Sequence, residues 1–272
     1  MKLTVIGCTG SFPGPASPAS CYLVSAFDGQ RMWRILLDLG SGAMGVLQRY
    51  MELEDIDAIL LSHLHPDHCM DLCGLHVAVR WKPGGWQGKY IPVYGPDETP
   101  TRMAEAYGME EGDSMHSEFD FRTWKENQQV RIGPFNISVY PVRHPVPEAY
   151  AIRVEADEPD LSAEPIDGHY PRKRSVLAYS GDTDTCPGLI EAAKDANLFL
   201  CEAAFEEGRD DGIDGIHLTG KRAGEMAEAA GAERLLLTHL QVWTDPLKTA
   251  QDASNAYSGL VAVAASGVSY QV

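Results

Sequence analysis

The chain has 272 residues, 44% of them hydrophobic, and a formal net charge of −17 at pH 7. This length suits one large α/β domain, and no Pro/Gly/Ser-rich linker divides it, so we expect a single domain over residues 1–272. The charge disfavours a protein that grips an RNA backbone, because that mode of binding depends on many Lys and Arg contacts. The sequence lacks a secretion signal and any apolar run of membrane-spanning length, so a cytoplasmic protein without membrane contact is expected.

Along the chain, apolar runs alternate with segments of helical periodicity. The apolar runs predict strands at Leu3–Ile6, Tyr22–Ser25, Trp33–Asp38, Ala58–Leu61, Ile91–Val93, Phe119–Thr123, Phe135–Tyr140, Ala149–Val154, Val176–Tyr179, Leu198–Cys201 and Arg234–Leu237. The helical spacing predicts helices at Thr99–Tyr107, Leu189–Lys194, Thr219–Ala230 and Leu247–Tyr257. The early strands have few helices between them, whereas the later part repeats a strand-then-helix order.

Charged residues are unevenly distributed in the middle of the chain. The acidic stretch 155–167 is predicted to be a solvated loop, and the basic run Pro171–Arg174 that follows it is the best candidate for a local basic patch. Because the remainder is so acidic, a small anionic substrate neutralised by metal is easier to accept than a long nucleic acid.

A cluster of three histidines, His63, His65 and His68, lies in the stretch AILLSHLHPDHCMDL. The apolar run before it predicts a buried strand, and Pro66 cannot continue the hydrogen-bonding ladder of that strand. Asp67 is predicted to cap a short helix that runs through Leu72. The cluster is therefore expected where a strand tip turns into a helix, which is where α/β scaffolds position their chemistry.

The spacing within the cluster indicates two adjacent metal ions. His63 and His65 are two residues apart and can point the same way from an extended backbone. Asp67 and His68 are neighbours at the turn and can aim at a second point nearby. Imidazole and carboxylate ligands suit zinc, with manganese or iron as alternatives.

Further candidate ligands lie at the ends of other apolar strands. His144 ends the stretch FNISVYPVRH, Asp182 follows SVLAYSG, and His239 follows RLLLT. Strand tips that emerge at one edge of a sheet converge in space, so these side chains are expected beside the cluster. The histidines without this context, interpreted as ordinary surface or core residues, are His76, His116 and His169.

The six cysteines follow no framework pattern. Cys69 and Cys73 are four residues apart and could form a metal-binding pair. We interpret them instead as small buried thiols of a reduced cytoplasm.

The pattern His63-Leu-His65-Pro-Asp67-His68, with His144, Asp182 and His239 downstream, resembles the metallo-β-lactamase superfamily. The resemblance spans nearly the whole chain and implies an α/β fold of the αββα sandwich type. In this fold, two mixed sheets pack face to face, helices lie outside, and the metals sit at one edge.

The resemblance also implies a ligand set and a metal-dependent hydrolase. His63, His65 and His144 would hold the first metal, and Asp182 would bridge to the second. The second metal would be held by Asp67, His68 and His239. Asp38, in the stretch LLDLGSG, would orient a histidine through its far nitrogen, although it could also be a simple turn carboxylate.

Two downstream stretches resemble the ribonuclease Z branch of the superfamily. Glu202 lies in FLCEAAF, and His217 lies in GIHLTG ahead of a predicted helix. In that branch the histidine assists the leaving oxygen and the glutamate orients the histidine, so Asp67, His217 and Glu202 are the catalytic candidates. A plain capping and salt-bridge pair is the alternative interpretation of Glu202 and His217.

The sequence nevertheless departs from ribonuclease Z. The short segment 145–181 leaves little room for the basic arm that those enzymes insert there, and LTHLQVWTDP lacks their Ser-x-Arg-Tyr continuation. The chain is more similar to the actinobacterial-type cyclic-nucleotide phosphodiesterases of the superfamily. The loop Gly10–Ser20 could line a pocket for base and ribose, or be a surface turn.

Three hypotheses follow for the function. The first is a dinuclear-metal phosphodiesterase that hydrolyses 3′,5′-cyclic nucleotides such as cyclic AMP. The second is a ribonuclease Z-type nuclease that processes tRNA 3′ ends, and the third is a non-catalytic metal-binding regulatory protein. The first implies two divalent metal ions, a small anionic phosphodiester substrate and no nucleic-acid partner, and the resemblance makes a homodimer plausible.

Overall fold

Two seven-stranded mixed sheets form the centre of the computed structural model, which describes residues 1–126, 128–165, 167–168 and 170–272. In spatial order, the first sheet contains β14 (Ser269–Gln271), β1 (Lys2–Gly7), β2 (Cys21–Phe27), β3 (Met32–Leu37), β4 (Ala58–Leu60), β5 (Ile91–Gly95) and β6 (Phe119–Thr123). The second contains β13 (Leu260–Val263), β12 (Arg234–Thr238), β11 (Leu198–Glu202), β10 (Arg172–Tyr179), β9 (Tyr150–Pro159), β8 (Phe135–Pro141) and β7 (Val130–Ile132). Each sheet has a parallel part, β3 to β6 and β10 to β13, and an antiparallel part.

The sheets pack face to face over one apolar core. Leu3, Val24 and Leu37 of the first sheet belong to the same buried cluster as Ile152 and Leu200 of the second. Strand residues alternate between the two faces of a sheet, so the neighbouring residues of each strand point outward. The outward residues form a second and a third buried cluster, each covered by helices.

The helices lie on the outer faces and complete an αββα sandwich, as the resemblance to the metallo-β-lactamase superfamily implies. They are α1 (Ala43–Leu47), α2 (Pro66–Cys69), α3 (Leu72–Trp81), α4 (Thr99–Tyr107), α5 (Pro187–Ala193), α6 (Gly220–Ala230) and α7 (Pro246–Ala256), with a 3₁₀ turn at Leu53–Asp55. Thr219 caps α6 by accepting a hydrogen bond from the Arg222 amide, and Gly231 ends the helix in a left-handed conformation. None of the described helices combines the length and apolarity needed to cross a membrane.

The topology brings the ends of several strands to one edge. β4 and β12 each run parallel to their neighbours within their sheets, and β8 runs parallel to β10 because both are antiparallel to β9. The segments that follow β4, β8, β10 and β12 therefore emerge together. These segments carry His63, His144, Asp182 and His239.

Three local predictions are wrong. The helix after the histidine cluster begins at Pro66, so Asp67 lies in its first turn and does not cap it. The helix also does not end near Leu72, because α3 continues to Trp81 after a short break. The acidic stretch is not one loop, since β9 extends to Pro159 and pairs with the basic start of β10.

Candidate metal centre

The candidate ligands form two groups that share Asp182. The nitrogens of His63, His65 and His144 and a carboxylate oxygen of Asp182 all lie within 4.8 Å of one another. The second group obeys the same limit and consists of Asp67, His68, Asp182 and His239. Because a carboxylate has two oxygens, Asp182 can face both groups at once.

Three imidazole nitrogens of the first group aim at a common point. His65 Nδ1 lies 3.1 Å from His63 Nε2 and 3.2 Å from His144 Nε2. The far nitrogens of the other two rings are held: His144 Nδ1 donates to the carbonyl of Ile216 (2.8 Å), and His63 Nδ1 lies 3.1 Å from the hydroxyl of Ser62. A carbonyl only accepts, so His144 Nε2 carries the free lone pair that a metal needs.

The first group is electrostatically suited to neutral imidazoles. Burial, and then the neighbouring histidines, lower the pKa of His63 well below its ordinary value. Burial lowers the pKa of His65 and His144 in the same direction. Neutral imidazole is the form that binds metal.

The second group leaves buried polar atoms without partners. Asp67 Oδ2, His68 Nε2 and Asp182 Oδ1 are fully buried and make no hydrogen bond with other described residues. His68 Nε2 lies 3.1 Å from Asp182 Oδ1, and His239 Nε2 lies 3.2 Å from Asp182 Oδ2. Buried polar atoms in native proteins are almost always satisfied, so these atoms fit a bound cation.

The charge of the second group also favours binding of a cation. Burial alone would lower the pKa of His68, but the carboxylates of Asp182, Asp67 and Asp38 raise it well above its ordinary value. Burial opposes ionisation of Asp182, yet His239 and His68 hold its pKa well below the usual range. The group therefore concentrates negative charge that a divalent ion can neutralise.

Asp38 lies beneath the second group, where it can orient a histidine through its far nitrogen, as the family resemblance implies. Its Oδ2 accepts hydrogen bonds from His68 Nδ1 (2.7 Å) and the Tyr179 hydroxyl (2.6 Å), and its Oδ1 accepts from the Ser62 amide (2.7 Å). The side chain is fully buried, and its backbone is left-handed, with φ of 59°. The hydrogen bond from His68 Nδ1 to Asp38 directs the other nitrogen of His68, Nε2, towards the second group.

Sequence reasoning missed two supporting side chains. Tyr179 appears in the sequence only as part of an apolar strand, and Ser20 as part of a Gly/Pro/Ser loop. The Ser20 hydroxyl lies 3.0 Å from His239 Nδ1, in a contact between residues far apart in the chain. Only the fact that Tyr179 precedes the Gly181-Asp182 pair could have indicated that its hydroxyl is near the site.

Glu202 and His217 form a buried pair beside Asp182, the residue that both groups share. Glu202 Oε1 accepts from His217 Nδ1 (2.8 Å), and amides of Thr183 and Ala204 also donate to this carboxylate. Burial lowers the pKa of His217, but the Glu202 carboxylate outweighs it and raises the value to about 9. His217 Nδ1 lies 4.0 Å from Asp182 Oδ2, so a cationic imidazole lies beside the carboxylate that the two groups share.

The remaining histidines lie elsewhere. His76 is buried with Nδ1 3.2 Å from Glu118 Oε2, and His116 is exposed. Neither contributes to the two groups above. His169 lies outside the described residues.

The cysteine pair contributes no thiolate ligand to these groups. Cys69 donates a hydrogen bond to the carbonyl of His65 (3.3 Å), and burial raises the pKa of its thiol to about 12. Cys73 lies near the carbonyl of Met103 (3.9 Å). Both cysteines are free thiols.

The predicted basic patch is largely neutralised across the β9–β10 ladder. Arg174 Nη2 lies 2.7 Å from Glu155 Oε2, and Arg172 Nε lies 3.1 Å from Asp157 Oδ1. These exposed pairs contribute little stability, but they reduce the positive charge that a phosphate backbone could use.

Comparison with known proteins identifies the class. Residues 33–240 match the beta-lactamase superfamily domain, and the chain belongs to this superfamily. The histidine–aspartate groups and this membership support a metallo-hydrolase that binds divalent metal.

Individual relatives cover nearly the full chain. The uncharacterized protein ML1173 of Mycobacterium leprae is 38% identical over 100% of this chain and 89% of its own length. The probable metallo-hydrolase YhfI of Bacillus subtilis is 30% identical, and the match covers 98% of each chain. The crystal structure of YhfI superposes on this chain with a TM-score of 0.79, covering 99% of this chain and 98% of that chain. The ribonuclease Z of Myxococcus xanthus is 28% identical over 100% of this chain and 98% of its own. The prediction that nucleic acid is no partner is therefore not supported by these comparisons.

Proposed function

We propose that the protein is a dinuclear metal-dependent phosphodiesterase that hydrolyses 3′,5′-cyclic nucleotides, with cyclic AMP as the leading substrate. One observation carries this proposal: the Glu202–His217 pair lies beside the carboxylate that two metal-ligand groups share. In the proposed centre, one ion would be held by His63, His65, His144 and Asp182. The second would be held by Asp67, His68, His239 and Asp182, and zinc is the leading candidate, with manganese or iron as alternatives.

Two bound divalent ions would lower the pKa of water and neutralise the charge of the phosphate. Within the chain, Asp38 and the Ile216 carbonyl orient His68 and His144 through their far nitrogens. His217 then stabilises negative charge on the departing ribose oxygen or gives it a proton, and Glu202 keeps His217 charged. Asp67 is proposed to act in catalysis as a ligand of the second metal ion.

The charge distribution supports a compact substrate. A cyclic nucleotide carries one phosphodiester charge and needs no extended backbone contact, whereas an RNA needs several basic contacts. The net charge is −17, and Arg172 and Arg174 are engaged by carboxylates. About half of the segment between His144 and Asp182 lies in the paired strands β9 and β10.

A ribonuclease Z-type activity is the second candidate. It is favoured by the 28% identity to the ribonuclease Z of Myxococcus xanthus over 100% of this chain. It would require a basic groove formed elsewhere on the surface or by a homodimer, which stays a prediction. The Glu202–His217 pair argues against a non-catalytic regulatory protein, since metal storage needs no charged imidazole at this position.

The proposal is tested with metal-loaded protein on cyclic AMP and precursor tRNA in parallel. The assay is run at low salt, where RNA binding has its best chance, with Asp182→Ala as the inactive control. We expect opening of cyclic AMP to 5′-AMP, or to 3′-AMP if the ring binds reversed, with slow or absent tRNA cleavage. Cleavage of precursor tRNA at its 3′ end with a far higher kcat/KM would replace the proposal with the second candidate.

A further inference from the structure

A cavity of about 210 Å³ opens beside His65, a member of the first ligand group. Its apolar wall is formed by Leu64, Pro96 and Val146. An apolar cavity of roughly 150 Å³ already accommodates one benzene-sized ring, so this volume suits a two-ring purine. Because the proposed metal ligand His65 lines the cavity itself, a group bound there is adjacent to the metal centre. We call this space the His65 cavity.

Glu148 provides a fixed acceptor in the His65 cavity. Its Oε2 accepts from the Asp97 amide (2.8 Å), and its Oε1 accepts from the Tyr150 hydroxyl (2.8 Å). Each carboxylate oxygen has two lone-pair directions, so both retain capacity for a ligand donor. A carboxylate that is already oriented loses little entropy when it binds a ligand, which favours specific recognition.

Arg102, on α4, lines the same cavity and is exposed. Within the described part of the chain, its guanidinium has no carboxylate partner at salt-bridge distance. A planar guanidinium stacks well on aromatic rings and donates to ring nitrogens. Its position beside the centre therefore suits the face or edge of a base.

The net charge of the cavity selects among ligand classes. Glu98 and Glu148 outnumber Arg102 among its lining residues, so the wall is net negative. A second phosphate would be repelled, whereas a neutral ring with amine donors would be attracted. The cavity is thus better matched to a nucleobase than to a further phosphate of an RNA backbone.

The space beside His239, in the second ligand group, offers a weaker alternative. The loop Gly10–Ser20 approaches the centre there, with the Ser11 amide 3.4 Å from His239 Nε2. The cavity beneath this loop, about 310 Å³, has no candidate metal ligand among its described lining residues. Phe12, in this loop, forms a tilted aromatic pair with Trp243, with ring centroids 5.4 Å apart.

We propose that the His65 cavity binds the purine base of the substrate, with Glu148 accepting from its exocyclic amine and Arg102 contacting its ring. This inference rests on the proposed phosphodiesterase function. It assigns base recognition to the segment 96–102, which includes the start of α4, and to the loop 146–148, neither of which the sequence singled out as a site.

The test compares two substrates across variants. Arg102→Ala and Glu148→Gln are assayed on cyclic AMP and on methyl p-nitrophenyl phosphate, a diester without a base. We expect the ratio of the two kcat/KM values, cyclic AMP over the simple diester, to fall about 10- to 100-fold, mainly through KM for cyclic AMP. Arg49→Ala, which removes another exposed arginine, is the matched control and should leave the ratio unchanged.

The alternative side is tested in the same experiment with Phe12→Ala and Trp243→Ala. If these two variants lower the ratio while Arg102→Ala and Glu148→Gln do not, the base lies beside His239 and the inference is overturned. An unchanged ratio in all four variants would overturn it as well. Wild-type protein that hydrolyses neither diester would contradict the proposed function itself, which is a different and recognisable result.

Discussion

The two ligand groups meet at Asp182 but differ in composition and exposure. The first adds three histidines to the shared carboxylate, and His65 is only partly buried. The second adds Asp67, whose buried Oδ2 lacks a hydrogen-bond partner within the described chain. The first group therefore has one carboxylate, the shared Asp182, whereas the second has two.

This difference predicts which of the two groups binds its metal ion more tightly. Burial lowers the pKa of His63, while the surrounding carboxylates raise that of His68 despite burial. Each group thus responds to its own charge environment, although the two are only one carboxylate apart. Since a divalent ion gains most where negative charge is densest, we expect the second group to bind its ion more tightly.

The variant expected to affect the metal ions most is Asp182→Ala, because it removes a ligand from both groups. We expect loss of both ions and a fall in hydrolysis of at least about 10⁴-fold, above the ~10²–10⁴ that one positioned acid contributes. Metal content is measured by elemental analysis after gel filtration. Asp113→Ala, an exposed carboxylate, is the control and should behave as wild type. Retention of both ions by Asp182→Ala would show that Asp182 is not shared.

The second prediction compares His65→Ala with Asp67→Ala and tests the inequality of the groups directly. After dialysis against a moderate chelator, His65→Ala should retain about one ion, because the second group is intact. Asp67→Ala should retain less, since only the more weakly binding group is left complete. Equal retention, or the reverse order, would remove the proposed difference between the groups.

A smaller effect is expected from Asp38→Asn, which removes no proposed ligand. Changes to groups that orient ligands lower metal affinity by about 10- to 100-fold. The amide can no longer accept from all of its donors, so the metal-free protein should lose about 1–3 kcal/mol of unfolding free energy. Both quantities are obtained from denaturant unfolding with and without metal. Tyr179→Phe removes one donor only and should give a smaller loss, and an effect as large as that of Asp38→Asn would contradict the assignment.

The fourth variant, His217→Ala, should leave the metal content unchanged. We expect kcat for cyclic AMP to fall by about 10²–10⁴-fold, because its ribose oxygen is a poor leaving group. A nitrophenyl phosphodiester should lose much less, since its leaving oxygen needs little assistance. Equal losses on both substrates would indicate that His217 has a structural role only.

The αββα sandwich was predicted from the resemblance of the histidine–aspartate pattern to the metallo-β-lactamase superfamily. His144, Asp182 and His239 could be placed near the cluster because the ends of parallel strands meet at one edge. The edge strands β13 and β14 were not predicted, since they are short and partly exposed. β14 also pairs with β1 from the other end of the chain, which no local pattern reveals.

The supporting contacts of the centre were the least predictable part. Asp38 could be proposed from resemblance, but Ser20 and the Ile216 carbonyl act through contacts across long sequence separations. Every residue type has a backbone carbonyl, so the identity of residue 216 could not indicate that its carbonyl binds His144. The His65 cavity likewise depends on how the loop after β5 meets the segment before β9, which only the fold determines.

The central claim is a two-metal centre with Asp182 between the ions. It is tested most directly by a crystal structure of zinc-loaded protein, with anomalous diffraction recorded at the zinc edge. We expect two anomalous peaks per chain, about 3.5–4 Å apart, with one Asp182 oxygen at each. A single peak, or peaks away from these residues in protein that hydrolyses phosphodiesters, would contradict the claim.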